Sequence, residues 1–180
     1  MKTNSDNSEI IGLCHVGIHD PEGNMADVFG VSAAISGSRV IVGARGDNTG
    51  AAQAGSAYVY DISNAAPRVP VIVLTNPSPA AADYFGQAVG ISGNRAVVGA
   101  YLDNTGATDA GSAYIFDLAN ATPTVPVSTL ANPSPAMNDY FGFSVAIDDG
   151  GVWLGAPSGA ANPVTLATTN VSRLYRLLLP

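Results

Sequence analysis

Three segments of the form Asp-x-Phe-Gly stand at a fixed interval of 56 residues: Asp27-Val28-Phe29-Gly30, Asp83-Tyr84-Phe85-Gly86 and Asp139-Tyr140-Phe141-Gly142. Residues 27–79 align with residues 83–135 without a gap and share 32 of 53 positions. A repeat this regular means that one supersecondary unit is stacked against copies of itself, because a unit of this size cannot bury its apolar face alone. Every other feature of the chain is read relative to that period.

Within one unit the hydrophobic pattern predicts four strands. Phe85, Val89 and Ile91 alternate with Gly86, Ala88 and Gly90, and the third copy alternates Phe141, Phe143, Val145 and Ile147 with Gly142, Ser144 and Ala146. Neither face is polar, so this first strand is expected to be buried on both sides, its small face letting a neighbouring sheet approach closely. Ser36-Gly37-Ser38 and Ser92-Gly93-Asn94 are tight-turn residues and lead into second strands at 39–44 and 95–100. After a loop that opens Asp47-Asn48-Thr49-Gly50 or Asp103-Asn104-Thr105-Gly106, aromatic and β-branched residues predict a third strand at 55–61 and 111–117. The fourth, at 69–74 and 125–130, carries Pro70 or Pro126, which removes a ladder donor and assigns it to a sheet edge. Asn76-Pro77-Ser78-Pro79 and its copy Asn132-Pro133-Ser134-Pro135 then take the chain out of the sheet.

The expected fold class is therefore all-β, with blades of four antiparallel strands arranged as a β-propeller. A sandwich does not need copies this alike, and a solenoid coil is usually shorter than this period. The units are an N-terminal segment at 1–26 with the last strand of a preceding blade, repeat 1 at 27–82, repeat 2 at 83–138, and a truncated, divergent repeat 3 at 139–180. Composition agrees: only 12% of residues are charged, and Gly, Ala, Val, Ser, Thr, Asn and Pro dominate.

The motif Phe-Gly followed by Gly-Ala resembles the FG-GAP repeat family, the propeller repeats of integrin α-subunit heads and of many bacterial surface proteins. The residues that carry the resemblance are Phe29 and Gly30 with Gly43 and Ala44, Phe85 and Gly86 with Gly99 and Ala100, and Phe141 and Gly142 with Gly155, Ala156 and Pro157. The resemblance implies a propeller, commonly of about seven blades, used in adhesion or ligand binding at an extracellular or cell-surface location. It also implies calcium in some blades, held by an Asp-rich loop between the first and second strands. Here that loop is reduced to the tight turns named above, with only Asp148 and Asp149 acidic in the third copy, too few oxygens for the six to eight that calcium takes. The residues define no cofactor site, and calcium enters only through the resemblance.

The ends are read by the same period. Ile18 falls one period before Leu74, which assigns the chain's start to the fourth strand of an earlier blade. Residues 171–177 have the pattern of a third strand displaced by four residues, with no fourth strand after it. The first residues thus have a place completing the last sheet, although a ring of three blades would bend unusually tightly. The expectation is a piece of a longer propeller, a degraded copy, or a unit that completes itself by self-association, since open blades expose apolar faces and strand edges. The polar opening residues are not followed by a signal-peptide core, and no apolar stretch is long enough for a membrane span.

Chemistry-bearing residues are few. The net charge of −7 rests on twelve Asp and two Glu against one Lys and six Arg, which speaks against nucleic-acid binding and attraction to anionic membranes. The lone Cys14 forms no intrachain disulfide. With His15, His19 and Asp20 it makes a tight cluster of ligand types, but strand alternation sends Cys14 away from the two histidines. Asp47, Asn48, Asp103, Asn104 and Asp109 crowd the loops between second and third strands and are the candidate binding residues of one rim. Asp27, Asp83 and Asp139 read as turn caps, Tyr58, Tyr60, Tyr114 and Phe116 as packing, and Arg39 and Arg95 as turn anchors.

No nucleophile elbow, His-based triad or phosphate loop is present. The expectation is a non-catalytic binding or adhesion module that presents loop surfaces to a protein or carbohydrate. The alternatives are a propeller glycoside hydrolase or an accessory domain of one, which needs two carboxylates at a defined separation, and a structural spacer.

Overall fold

The computed structural model describes residues 18–157. Two four-stranded antiparallel sheets have the order β1-β2-β3-β4 and β5-β6-β7-β8, and a two-stranded sheet pairs β9 with β10. The strands are β1 (Phe29–Ser36), β2 (Arg39–Ala44), β3 (Ser56–Asp61) and β4 (Ile72–Thr75) in the first blade. The second blade is β5 (Phe85–Ser92), β6 (Arg95–Ala100), β7 (Ser112–Asp117) and β8 (Ser128–Ala131), and the third is β9 (Ser144–Asp148) and β10 (Gly151–Gly155). Corresponding strands of the first two blades begin 56 residues apart, as Phe29 and Phe85 do, and β9 starts three residues later than that period. Among the described residues no helix is long and apolar enough to cross a membrane.

The blades stack face to face, and their cores lie between them. Ile41, Ala57, Val59 and Leu74 of the first blade meet Phe85, Val89, Ile91, Val98, Tyr114 and Phe116 of the second in one buried cluster. The opposite face of the second blade, with Val97, Ala113 and Ile115, packs on Phe141, Val152 and Leu154 of the third. Residues of alternate parity on one sheet thus serve two different cores, which is why neither face of the sequence pattern is polar.

That arrangement corrects the expectation for the innermost strand. β5 is buried along both faces, whereas β1 and β9 alternate between half-buried and exposed residues. The three carry similar patterns, but only β5 has a described blade on each side. The fourth strands lie at the sheet edges as expected, pairing only with β3 or β7. They begin after the prolines rather than across them, because Pro70 and Pro126 have no N–H to give, and pairing starts with Val71 N donating to Val59 O and Val127 N to Ile115 O. The third strands start one residue later than expected, at Ser56 and Ser112, since Gly55 and Gly111 hold left-handed backbone that no ladder accepts.

The strand that the period places ahead of the first blade, at 13–18, lies outside the described residues except for Ile18, which packs on the cluster of Val42, Ala44, Tyr58 and Tyr60, and the Tyr60 hydroxyl donates to the His19 carbonyl. Cys14 and His15, and the strand expected at 171–177, lie outside the described residues.

The Phe-Gly motif is a turn built into the start of β1 and β5 and set just ahead of β9. Val31 N donates to Val28 O, Gln87 N to Tyr84 O and Phe143 N to Tyr140 O, closing four-residue turns whose third residues are Gly30, Gly86 and Gly142. Those glycines have φ of +88°, +90° and +86°, the geometry of a type II turn that an L side chain resists. The strand register slips there: Phe85 pairs with Ala100, yet Ala88 pairs with Gly99, leaving Gly86 and Gln87 unpaired. Two unpaired residues preserve parity, so Phe85 still faces the same core as Val89.

Candidate ligand-binding face

The inserted turn presses one blade onto the next. A Cβ on Gly43 would collide with the Gly86 carbonyl, and one on Gly99 with the Gly142 carbonyl. Ser32 Oγ donates to the same Gly86 carbonyl at 2.9 Å. Gly55 and Gly111 admit the backbone of Phe85 and Phe141 in the same way, and Phe85 N donates to Ala54 O, Phe141 N to Ala110 O, both at 2.9 Å. The Phe-Gly of each blade therefore meets the Gly-Ala of the blade before it, a contact between repeats rather than within one. The corresponding hairpin turns latch at the opposite end, where Arg39 Nη1 donates to Asn94 Oδ1 at 2.6 Å and Gly93 N to Ser36 Oγ at 2.9 Å.

The loops after β2 and β6 lie at the end where the Phe-Gly turns sit. Asp47 and Asp103 point inward there, both buried. Tyr58 Oη donates to Asp47 Oδ2 at 2.6 Å and Thr49 N to its Oδ1 at 2.7 Å; Tyr114 Oη and Thr105 N treat Asp103 alike. Burial pushes the Asp47 carboxyl up, but hydrogen bonds from Tyr58 and Thr49 outweigh it and leave the group below its ordinary range. Tyr58 and Tyr114 are pushed well up, by burial first and then by the neighbouring carboxylate, and burial with Asp20 carries Tyr60 up to about 12. Asn48 and Asn104 are exposed, each accepting from the backbone within its own loop, from Gln53 N and Asp109 N, and Asp109 is half-buried. The five rim residues read from the sequence thus divide into two inward-facing loop anchors and three surface positions.

Asp27, Asp83 and Asp139 are also buried. Asp83 Oδ2 accepts from Ala80 N and Asn76 Nδ2, and Asp139 Oδ2 from Ala136 N and Asn132 Nδ2, which is the turn-capping role. Tyr58, Tyr60, Tyr114 and Phe116 are buried packing residues, with Phe29 against Tyr58 at 5.8 Å and Phe85 against Tyr114 at 5.8 Å.

The calcium loop of the resemblance does not fit this chain. The turns at Gly37 and Gly93 hold no carboxylate. At the third, Asp148 Oδ1 accepts from Gly150 N and Gly151 N, while Asp149 Oδ1 accepts from Ser92 Oγ of the blade before. These oxygens close a turn and bridge two blades rather than form a cage.

Aromatic residues of the second and third blades gather at the Phe-Gly end, among them Tyr84, Tyr101 and Tyr140, which the strand pattern did not single out. Tyr84 and Tyr101 stack with centroids 5.8 Å apart and planes at 26°. Tyr101 also meets Tyr140 at 5.7 Å and Phe143, edge-on, at 5.2 Å. Arg45 of the first blade lies 5.5 Å from the Tyr84 ring centre and donates through Nη1 to Gln87 Oε1 at 2.8 Å. Phe143 is 42% exposed, and the rings of Tyr84, Tyr101 and Tyr140 are half-buried. One signal in the sequence marked this ledge: its positions differ between copies. Val28, Val31 and Arg45 correspond to Tyr84, Gln87 and Tyr101, and to Tyr140, Phe143 and Pro157, in otherwise closely matched repeats.

The family model described as the FG-GAP repeat matches residues 16–60 and again 71–116, together half of the chain. The chain belongs to the FG-GAP repeat family. Its two matches begin ahead of each Phe-Gly turn and end in β3 or β7, so each spans the segment entering a blade and that blade's first three strands. In FG-GAP terms the named residues are the inter-blade seam, and the propeller blade is the unit that seam stacks. No curated protein matches the chain.

Proposed function

We propose that this FG-GAP protein is a non-catalytic binding module of a surface or secreted protein, and that it takes a glycan on the ledge of Tyr84, Tyr101, Tyr140 and Phe143. The observation that carries the reading is the convergence of these rings, with Arg45 and Gln87 beside them, from three blades at one end of the sheets. Aromatic faces suit the C–H faces of pyranose rings, and a few fixed polar groups orient the hydroxyls. The seam glycines are the same in each copy while most ledge positions vary, Tyr84 and Tyr140 excepted, as expected where the scaffold only holds a surface in place.

The test is a glycan array followed by titration of the best ligand against wild type and Tyr101→Ala. Binding that falls at least tenfold in the variant supports the reading. Saturable binding of a protein but of no glycan would replace the ligand class, and turnover of a glycan in a hydrolase panel would replace the module by an enzyme.

A further inference from the structure

The repeat supplies an internal control for one group of acidic residues. Asp20 and Glu22 of the entering segment stand where the second blade has Asn76 and Ser78 and the third has Asn132 and Ser134. The local turn is the same in all three: Glu22 N donates to Asp20 Oδ1, Ser78 N to Asn76 Oδ1 and Ser134 N to Asn132 Oδ1, each at 3.0 Å. In the second and third blades the amide nitrogen of that Asn then donates to the buried aspartate, at 2.7 Å to Asp83 and 2.8 Å to Asp139. In the first blade the equivalent atom is a carboxylate oxygen, which has no proton to give.

The consequence falls on Asp27. It is only 2% exposed; Asn24 Nδ2 donates to its Oδ1 at 2.8 Å, and its Oδ2 is buried without a hydrogen-bond partner among the described residues. Asp83 also has one bare oxygen, but its other oxygen takes two bonds and no glutamate stands beside it. Carboxylate oxygens of Glu22, Asp27 and Asp47 lie within 4.8 Å of one another. A cation with oxygens at 2.3–2.6 Å spans roughly that separation, so one ion reaches all three.

We propose that Glu22, Asp27 and Asp47 hold a divalent, calcium-sized cation at the entrance to the first blade, with Asp20 adding to the field. The place differs from the strand-one to strand-two loop, whose residues do not fit calcium here. The ion takes the place of the N–H donor that Asn76 and Asn132 direct at the buried aspartate in the other blades, and it ties the entering segment to the loop after β2. Negative neighbours push Glu22 up, Asp47 foremost, and Asp27 is raised by burial and then by Asp47 and Asp20.

The test is calcium titration of the full chain by calorimetry, with terbium luminescence as a second probe, because the Tyr58 hydroxyl bonded to Asp47 places a sensitising ring beside the ion. The informative variant is Asp20→Asn with Glu22→Ser, which gives the first blade the residues that the second already folds with. One ion per chain, with affinity reduced at least tenfold in the double variant and unchanged in Ser78→Ala, supports the site. No calcium or terbium binding by wild type overturns it, as does undiminished binding by the folded double variant. Loss of binding confined to Asp148→Asn with Asp149→Asn would move the ion to the third hairpin and equally overturn it.

Discussion

Gly43 of the first blade lies directly against the carbonyl of Gly86 in the second, leaving no room for a methyl group. Gly99 and Gly142 repeat the contact one blade on. The small residue of one motif and the turn glycine of the next copy are therefore two halves of a single joint.

Gly43→Ala and Gly99→Ala are expected to destabilise the fold by about 2–4 kcal/mol, because the obstructing atoms are backbone and cannot rotate away. Gly37→Ala, in a hairpin turn at φ +60° with open space around it, is expected to cost only about 1 kcal/mol, from backbone strain alone. Urea denaturation of the three variants checks the order. Equal losses would refute the joint.

Phe85 is fully buried between two blades, while Phe29, its copy, is half-buried beside the first. Phe85→Ala is expected to cost about 3–5 kcal/mol and Phe29→Ala distinctly less, since a cavity forms only where atoms surround the ring. Thermal unfolding of both variants measures the difference.

Tyr58→Phe removes the hydroxyl that donates to buried Asp47 and is expected to cost about 1–3 kcal/mol. Asp47 has a depressed folded pKa, so its contribution is present above the ordinary carboxylate range and is lost as pH falls through the lower folded value. The stability gap between wild type and Asp47→Asn should accordingly be fullest at neutral pH and close in strong acid, as followed by denaturant midpoints across pH.

Glu22 and Asp27 have the opposite sign. Their folded pKa values are raised, so the stability they contribute is present below the ordinary range and is lost as pH rises through the folded values. In chelator, the variant Asp20→Asn with Glu22→Ser should be more stable than wild type at neutral pH, and the two should converge in acid. Added calcium should reverse the order at neutral pH, because only wild type keeps all three ligands.

Tyr101→Ala is expected to change stability by about 1–2 kcal/mol, since the ring is half-buried among its neighbours, while abolishing most glycan binding. Comparing melting temperature with array signal separates the two effects.

How much was legible in advance follows from what kind of information a repeat contains. Strands β2 and β6 begin and end where the alternation and the turn residues placed them, because both signals are local. Tyr58 and Phe116 were readable as packing for the same reason. Asp47 was not readable as an inward anchor, since its partner Tyr58 is eleven residues away across a loop whose path the sequence does not state. Tyr84, Tyr101, Tyr140 and Phe143 were separate letters in two copies, and only the stacking of blades brought them to one ledge.

Taken alone, the chain of residues determined the period, the four-strand unit and the all-β class, because turn propensity and side-chain alternation act within a few residues of one another. The tertiary structure alone decided which glycine meets which carbonyl, which of the similar innermost strands is buried on both faces, and where carboxylates from two segments converge around Asp27. Those outcomes depend on the packing of one blade against the next, and packing is a property of distances between copies that no single repeat encodes.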